Sequence, residues 1–256
     1  MNILLTNDDG INAEGLNILY DTLSTRHHVT VIAPDRERSA VGHGITLHQP
    51  LRPEKIETNG GVSGYTVDGT PVDCIRLGLS ELLKDRQDMV LSGINPGENV
   101  GVNIQYSGTV AAAKEASLYG IPAISISTAG RKREHFGDAA QFVCVLSELV
   151  HERGLPFGTI LNVNIPGVSF SEVSGVRISR QSIAPVSEFF EKRVDPRNRP
   201  YYWSGPDSQT FVNSADVDGS VLSDNCISIT PIKCDTTDYG FLESLKKWKI
   251  KFNKYP

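Results

Sequence analysis

Short apolar runs alternate with stretches whose apolar residues recur every three or four positions along most of this chain. Residues 3–6, 29–33, 89–92 and 123–127 are brief, β-branched and apolar, which is the signature of strands. Between them, residues 13–25, 72–84 and 109–119 carry helical spacing, as in Leu16, Leu19, Tyr20 and Leu23. A further helix over about 135–153 and a strand over 159–164 continue the alternation. Strand-helix alternation builds a parallel sheet with helices on both faces, so the expected fold is α/β and Rossmann-like. Strand-like pieces at 45–47 and 64–67 interrupt the second crossover and predict a small side hairpin.

The pattern changes after about residue 181. Residues 182–224 are polar, mix charges with aromatics (Phe189, Phe190, Tyr201, Tyr202, Trp203) and contain Pro196, Pro200 and Pro206. Strand-like pieces follow at 210–212 and 217–222. This stretch has too little alternating apolar surface for a core of its own, so it predicts a protruding hairpin arm whose aromatics are buried against another subunit. Residues 226–232 read as a strand returning to the body. The expected division is a catalytic core over 1–181 and a C-terminal extension over 182–256.

Composition narrows the function. With 256 residues the chain can bury a full core, and its formal charge of −5 gives no basic footprint for long nucleic acid. No apolar run approaches the roughly 20 residues of a membrane span. The N-terminus reaches acidic residues too quickly to read as a secretory signal, so the expected location is cytoplasmic. Cys74, Cys144, Cys226 and Cys234 show no CxxC pairing, which argues for reduced, buried thiols over a structural zinc site.

The candidate chemistry sits in loops that follow predicted parallel strands: Asp8-Asp9-Gly10, residues 34–39 and residues 92–99. Loops after parallel strands converge on one sheet edge. Adjacent carboxylates repel unless a cation holds them, and they can share one ion only if the chain bends, which Gly10 permits. Asp8 and Asp9 with the Ser39 hydroxyl and the Asn95 amide form an all-oxygen set suited to Mg²⁺ or Mn²⁺. The competing reading makes Asp9 a helix cap and Asp8 a solvated turn residue. Asn95 lies in a glycine-rich loop that would let backbone amides approach a ligand. Tyr106-Ser107-Gly108-Thr109-Val110 opens an Ala-rich helix whose free amides would hold an anion, though a plain Ser/Thr cap explains the same residues. His43 lies in a loop expected to fold over the site, as general acid, substrate contact or exposed loop residue. In residues 67–74, Gly69 in a turn, Thr70 as cap and Pro71 at the first helical position need no ligand.

Five motifs in order, NDDG (7–10), APDRERSAVGHGITL (33–47), DGTPVDC (68–74), SGINPGENVG (92–101) and YSGTVAAAKE (106–115), resemble the stationary-phase survival protein SurE family of metal-dependent nucleotidases. The resemblance implies one divalent cation held at Asp8, Asp9, Ser39 and Asn95. It also implies hydrolysis of nucleoside monophosphates, 5′ and also 3′, by metal-assisted attack of water. Asp8 or Asp9 would take the proton, and Asn99, Ser107, Gly108 and Thr109 would bind phosphate. Homodimers or homotetramers built through the C-terminal arm are implied as well. Three other α/β readings fit less well. An aspartyl-phosphate phosphatase wants two aspartates with one residue between them where these are adjacent, a nicotinamide fold wants GxGxxG, and a receiver module wants an acceptor aspartate where Ser92 stands. A nucleotide-sensing or assembly protein using the same site is the non-catalytic alternative.

Overall fold

The computed structural model describes residues 1–57, 63–130, 132–185, 190–204 and 214–250. In chain order its elements are β1 (Asn2–Thr6), α1 (Glu14–Ser24), β2 (His28–Pro34), β3 (Pro53–Glu57), β4 (Ser63–Val67), α2 (Pro71–Leu77), β5 (Met89–Pro96), α3 (Gly108–Leu118) and β6 (Ala123–Thr128). There follow α4 (Arg133–Arg153), β7 (Thr159–Ile165), β8 (Gly175–Ile178), β9 (Phe190–Val194), β10 (Pro200–Ser204), α5 (Asp218–Ser223), β11 (Cys226–Lys233) and α6 (Tyr239–Leu245).

Among the described residues, nine strands form one sheet in the order β3-β4-β2-β1-β5-β6-β7-β11-β8. The central run from β4 to β7 is parallel, β3 and β11 are antiparallel to their inner neighbours, and β8 runs parallel to β11. Helices cover both faces. One apolar layer joins Leu16, Leu19 and Leu23 of α1 to Phe136, Val143 and Val150 of α4. The other gathers Cys74 and Ile75 of α2 with Val110, Ala113 and Ala116 of α3. The Rossmann-like expectation is met. From β1 the chain builds outward to β2 and β4, then returns to β5 on the other side. The order therefore reverses at β1, and a crevice opens beyond the carboxyl ends of β1 and β5.

Local chemistry explains the helix starts nearest that crevice. Thr70 accepts the amide of Asp73 while Asp73 accepts the amide of Thr70, a closed capping box with Pro71 at the first helical position. Ser107 caps α3 by accepting the amide of Val110 at 3.1 Å.

Three sequence expectations change. The side hairpin is β3 with β4, and it extends the main sheet; residues 45–47 are not a strand, because the Thr46 amide bonds the Asp73 carboxylate (3.1 and 3.2 Å) and joins no ladder. Residues 217–222 are mostly helical, with Val217 and Val221 buried one turn apart. The strand expected over 210–212 lies outside the described residues. The hairpin arm does form, as the two-stranded β9-β10 ribbon. All four cysteines are unpaired and, apart from half-buried Cys234, buried. Among the described residues no helix is long and apolar enough to cross a membrane.

Candidate functional site

The turn after β1 decides where the acidic pair points. Buried Asn7 closes it with its own amide group: Nδ2 donates to the Gly10 carbonyl at 2.9 Å, and Oδ1 accepts the Gly10 amide at 3.2 Å. Gly10 has φ +95°, and a Cβ there would lie 2.9 Å from the carbonyl carbon of Arg36, so the bend requires glycine. This bend lets neighbouring Asp8 and Asp9 both line the crevice.

Asp8 is buried, and its Oδ1 accepts the hydroxyl of Thr109. Its backbone carbonyl accepts the Arg38 amide at 2.7 Å, which ties the loop after β2 to the turn after β1. Asp9 Oδ2 is excluded from solvent and has no hydrogen-bond partner among the described residues. Burial raises the pKa of Asp8; burial, then the charges of Asp8 and Glu37, push Asp9 up to about 7. An orphaned carboxylate oxygen beside a second buried carboxylate is a site short of positive charge. A hard divalent cation fits that donor set.

The other predicted residues arrive from separate elements. Ser39, exposed on the loop after β2, donates to Glu37 Oε1 at 2.7 Å. Arg38 steadies that loop through Asp35 (3.1 Å) and the Asp68 carbonyl (3.0 Å). Asn95, near the end of β5, turns its Nδ2 onto the Gly97 carbonyl at 2.6 Å, leaving its amide oxygen as the group to offer a cation. Asp8, Asp9, Ser39, Asn95, Asn99 and Ser107 all line one cleft of about 580 Å³. Gly108 and Thr109 stand directly behind Asp8; a Cβ on Gly108 would meet Asp8 Cβ at 2.8 Å and Asp8 Oδ2 at 3.0 Å. The α3 N-terminus therefore packs on Asp8 so closely that only glycine fits at residue 108.

His43 is placed elsewhere. Its Nε2 lies 2.8 Å from Glu115 Oε2, and it is absent from the cleft lining. Its loop is held down by Gly42 N to the Tyr106 carbonyl (2.9 Å) and by Thr70 Oγ1 to the Gly44 carbonyl (2.8 Å).

Sequence reasoning missed the support beneath the glycine-rich loop. The amide of buried Asn99 donates to Asn164 Oδ1 at 2.8 Å, and its carbonyl accepts from Asn162 Nδ2 (2.8 Å) and Asn164 Nδ2 (3.1 Å). Its side chain donates to Ser127 Oγ at 2.8 Å. Asp218 Oδ2 accepts the Gly101 amide at 2.8 Å while its Oδ1 accepts that of Ser182 at 3.1 Å, and Gln181 Nε2 donates to the Gly101 carbonyl at 2.8 Å. The available signal was asparagine at alternate positions of the otherwise apolar β7. Glu37 and half-exposed Tyr106 also line the cleft and were not singled out for it.

A family model described as "Survival protein SurE" matches residues 3–188. The 5′-nucleotidase SurE of Desulfatibacillum aliphaticivorans is 55% identical over 251 residues, covering 98% of this chain and 99% of that protein. The 5′-nucleotidase SurE of Carboxydothermus hydrogenoformans is 46% identical over 253 residues, covering 97% and 96%. The crystal structure of the SurE protein from Aquifex aeolicus superposes with a TM-score of 0.82 at 37% identity, covering 96% of this chain and 98% of that one.

Proposed function

From the premise that this chain belongs to the survival protein SurE family, we propose that it hydrolyses nucleoside 5′-monophosphates, and 3′-monophosphates as well, in the cleft at the carboxyl ends of β1 and β5. The observation that carries this reading is the solvent-excluded, unpartnered Asp9 Oδ2 beside buried Asp8, opposite the amino end of α3. Carboxylates with unmet charge next to free helix amides make a place for a cation and a phosphate together.

One divalent ion, Mg²⁺ or Mn²⁺, would be held by Asp8, Asp9, Ser39 and Asn95. When bound, it neutralises phosphate oxygens and lowers the pKa of a water. The residues supply the rest. The Gly108 amide and the Ser107 hydroxyl bind the phosphate with Thr109 beside them, and Asn99 adds a contact from a loop made rigid by Asn162 and Asn164. Thr109 keeps Asp8 in one orientation. Asp9 accepts the proton of the attacking water as its oxygen bonds to phosphorus; the ester P–O bond breaks, and the nucleoside leaves with a proton from solvent. Half-exposed Tyr106 offers the nucleoside an aromatic wall.

The proposed assembly is a homodimer or homotetramer through the β9-β10 arm, in the cytoplasm, with no long nucleic acid or membrane as partner. The arm supports this with exposed Phe190, Tyr202 and Trp203 on a ribbon that pairs with nothing else among the described residues.

The test is phosphate release from a panel of nucleoside 5′- and 3′-monophosphates by metal-stripped protein, then with Mg²⁺ or Mn²⁺ restored, with Asp8→Asn as control. Metal-dependent release absent from Asp8→Asn is expected. Ligand binding with no turnover in any condition would favour a nucleotide-sensing or assembly role.

A further inference from the structure

A second group of ligand-type side chains lies at the other end of the sheet. His27 occupies the turn between α1 and β2, immediately before the amino end of β2, whereas the cleft lies beyond that strand's carboxyl end. At about 3.3 Å per residue, the seven residues of β2 put the two places roughly 20 Å apart. Cys144 and Glu148 are one helical turn apart on α4 and therefore share a face. One ligand atom from each of His27, Cys144 and Glu148 lies within 4.8 Å of the others, with His27 Nε2 3.7 Å from Glu148 Oε1.

The imidazole supplies an independent pointer. The His27 side chain is only 9% exposed, and its Nε2 is excluded from solvent with no hydrogen-bond partner among the described residues. A buried nitrogen left so costs about 1–3 kcal/mol, and the backbone pins it there, because the His27 amide donates to the Leu23 carbonyl at 2.9 Å. Cys144 is buried beside it and Glu148 is half exposed, so the cluster is dry on the thiol side and open on the carboxylate side.

We propose that His27, Cys144 and Glu148 bind a zinc-type divalent ion, with the fourth coordination position open to solvent beside Glu148. A tetrahedral ion with ordinary zinc bond lengths holds its ligand atoms roughly 3.3–3.7 Å apart, so the His27–Glu148 separation already fits and the sulfur closes by a small rotamer shift. Nitrogen, sulfur and oxygen together select Zn²⁺ over Mg²⁺ or Mn²⁺, the reverse of the all-oxygen cleft. Burial lowers the His27 pKa, which keeps a lone pair available, and raises that of Cys144, whose thiol stays protonated until the ion displaces its proton to solvent. Arg26, now 3.5 Å from Glu148 and itself mostly exposed, is the cation the ion displaces. Occupancy would clip α4 to the α1–β2 turn. The absence of CxxC spacing concealed this set, because its members come from two distant segments.

The experiment uses the full chain with saturating Mg²⁺ to occupy the cleft, titrated with Co²⁺ as a spectroscopic substitute for Zn²⁺. A thiolate-to-cobalt charge-transfer band in the near ultraviolet, saturating at one ion per chain and bleached by Zn²⁺, is expected. Cys144→Ala should abolish the band, and Glu148→Gln, a change at a half-exposed position that spares the fold, should weaken Co²⁺ binding at least tenfold. Lack of the band in the wild type overturns the proposal even if Cys144→Ala fails to fold. So does a band that persists in Cys144→Ala, which would move the thiolate to Cys74, Cys226 or Cys234, and so does unchanged affinity in Glu148→Gln.

Discussion

The hydroxyl of Thr109, in the first turn of α3, donates to Oδ1 of Asp8, just past the end of β1. One bond joins the element proposed to bind phosphate to the one proposed to bind the cation. Thr109→Val keeps the shape of this fully buried side chain and removes only the donor. Such supporting partners are worth about 10–100-fold in metal affinity or activity, so kcat/KM should fall by about that factor, with about 1–3 kcal/mol of stability lost in the metal-free protein, while Thr109→Ser retains most activity.

Asp9 makes the metal-free protein sensitive to pH. Its folded pKa of about 7 lies above the unfolded carboxylate value, so folding is favoured while it stays protonated, and that stability is lost as pH rises from about 4 through 7. Metal-stripped protein should melt at falling temperature across this window. Asp9→Asn should flatten the dependence, by about 2 kcal/mol after allowance for partial solvent screening. Restored Mg²⁺ should stabilise the wild type most at the alkaline end, which differential scanning fluorimetry would show.

Gly108 cannot be enlarged without moving Asp8. A Cβ there meets Asp8 Cβ at 2.8 Å and Pro71 Cγ at 3.2 Å, and no flexible side-chain tip is available to yield. Gly108→Ala should cost about 1–3 kcal/mol in urea unfolding and lower kcat/KM more than tenfold, because strain and displacement fall on the same carboxylate.

Asp218 holds two segments at once, the glycine-rich loop at Gly101 and the entry to the arm at Ser182. Asp218→Ala removes the carboxylate acceptor of both amides in a buried place and should destabilise by on the order of 3 kcal/mol. Steady-state kinetics should show a raised KM with kcat less affected, since the loop that loses its tether carries Asn99.

Replacing exposed Tyr202 and Trp203 together by serine should leave the melting temperature of the core unchanged and reduce the assembly mass in light scattering. An unchanged mass would show that the arm is not the contact.

Much of this arrangement was legible in the chain. β1 and β2 are largely apolar runs buried by helices on both sides, so hydrophobicity alone marks them to within one or two residues. β3 escaped notice because Pro53-Glu54-Lys55-Ile56-Glu57 is an almost wholly exposed edge strand, where charge and proline protect an open ladder. Asp8, Asp9, Ser39 and Asn95 were readable as a set because convergence follows from parallel topology. Asn162, Asn164 and Asp218 were not, since a polar residue inside a buried strand or helix declares its partner only once the fold has brought Asn99 and Gly101 above it.

The position of β11 bears on how the chain is made. This strand lies between β7 and β8, yet it is synthesised after both and after the whole arm. Until residues 226–233 leave the ribosome, β7 presents an unpaired edge, and β8 has no neighbour to join. At about 5–20 residues per second that edge stays bare for several seconds, long enough to capture another nascent strand. The emerging polypeptide is thus most prone to aggregation just before its last strand is inserted, and a premature stop between Ile165 and Cys226 would leave it permanently in that state.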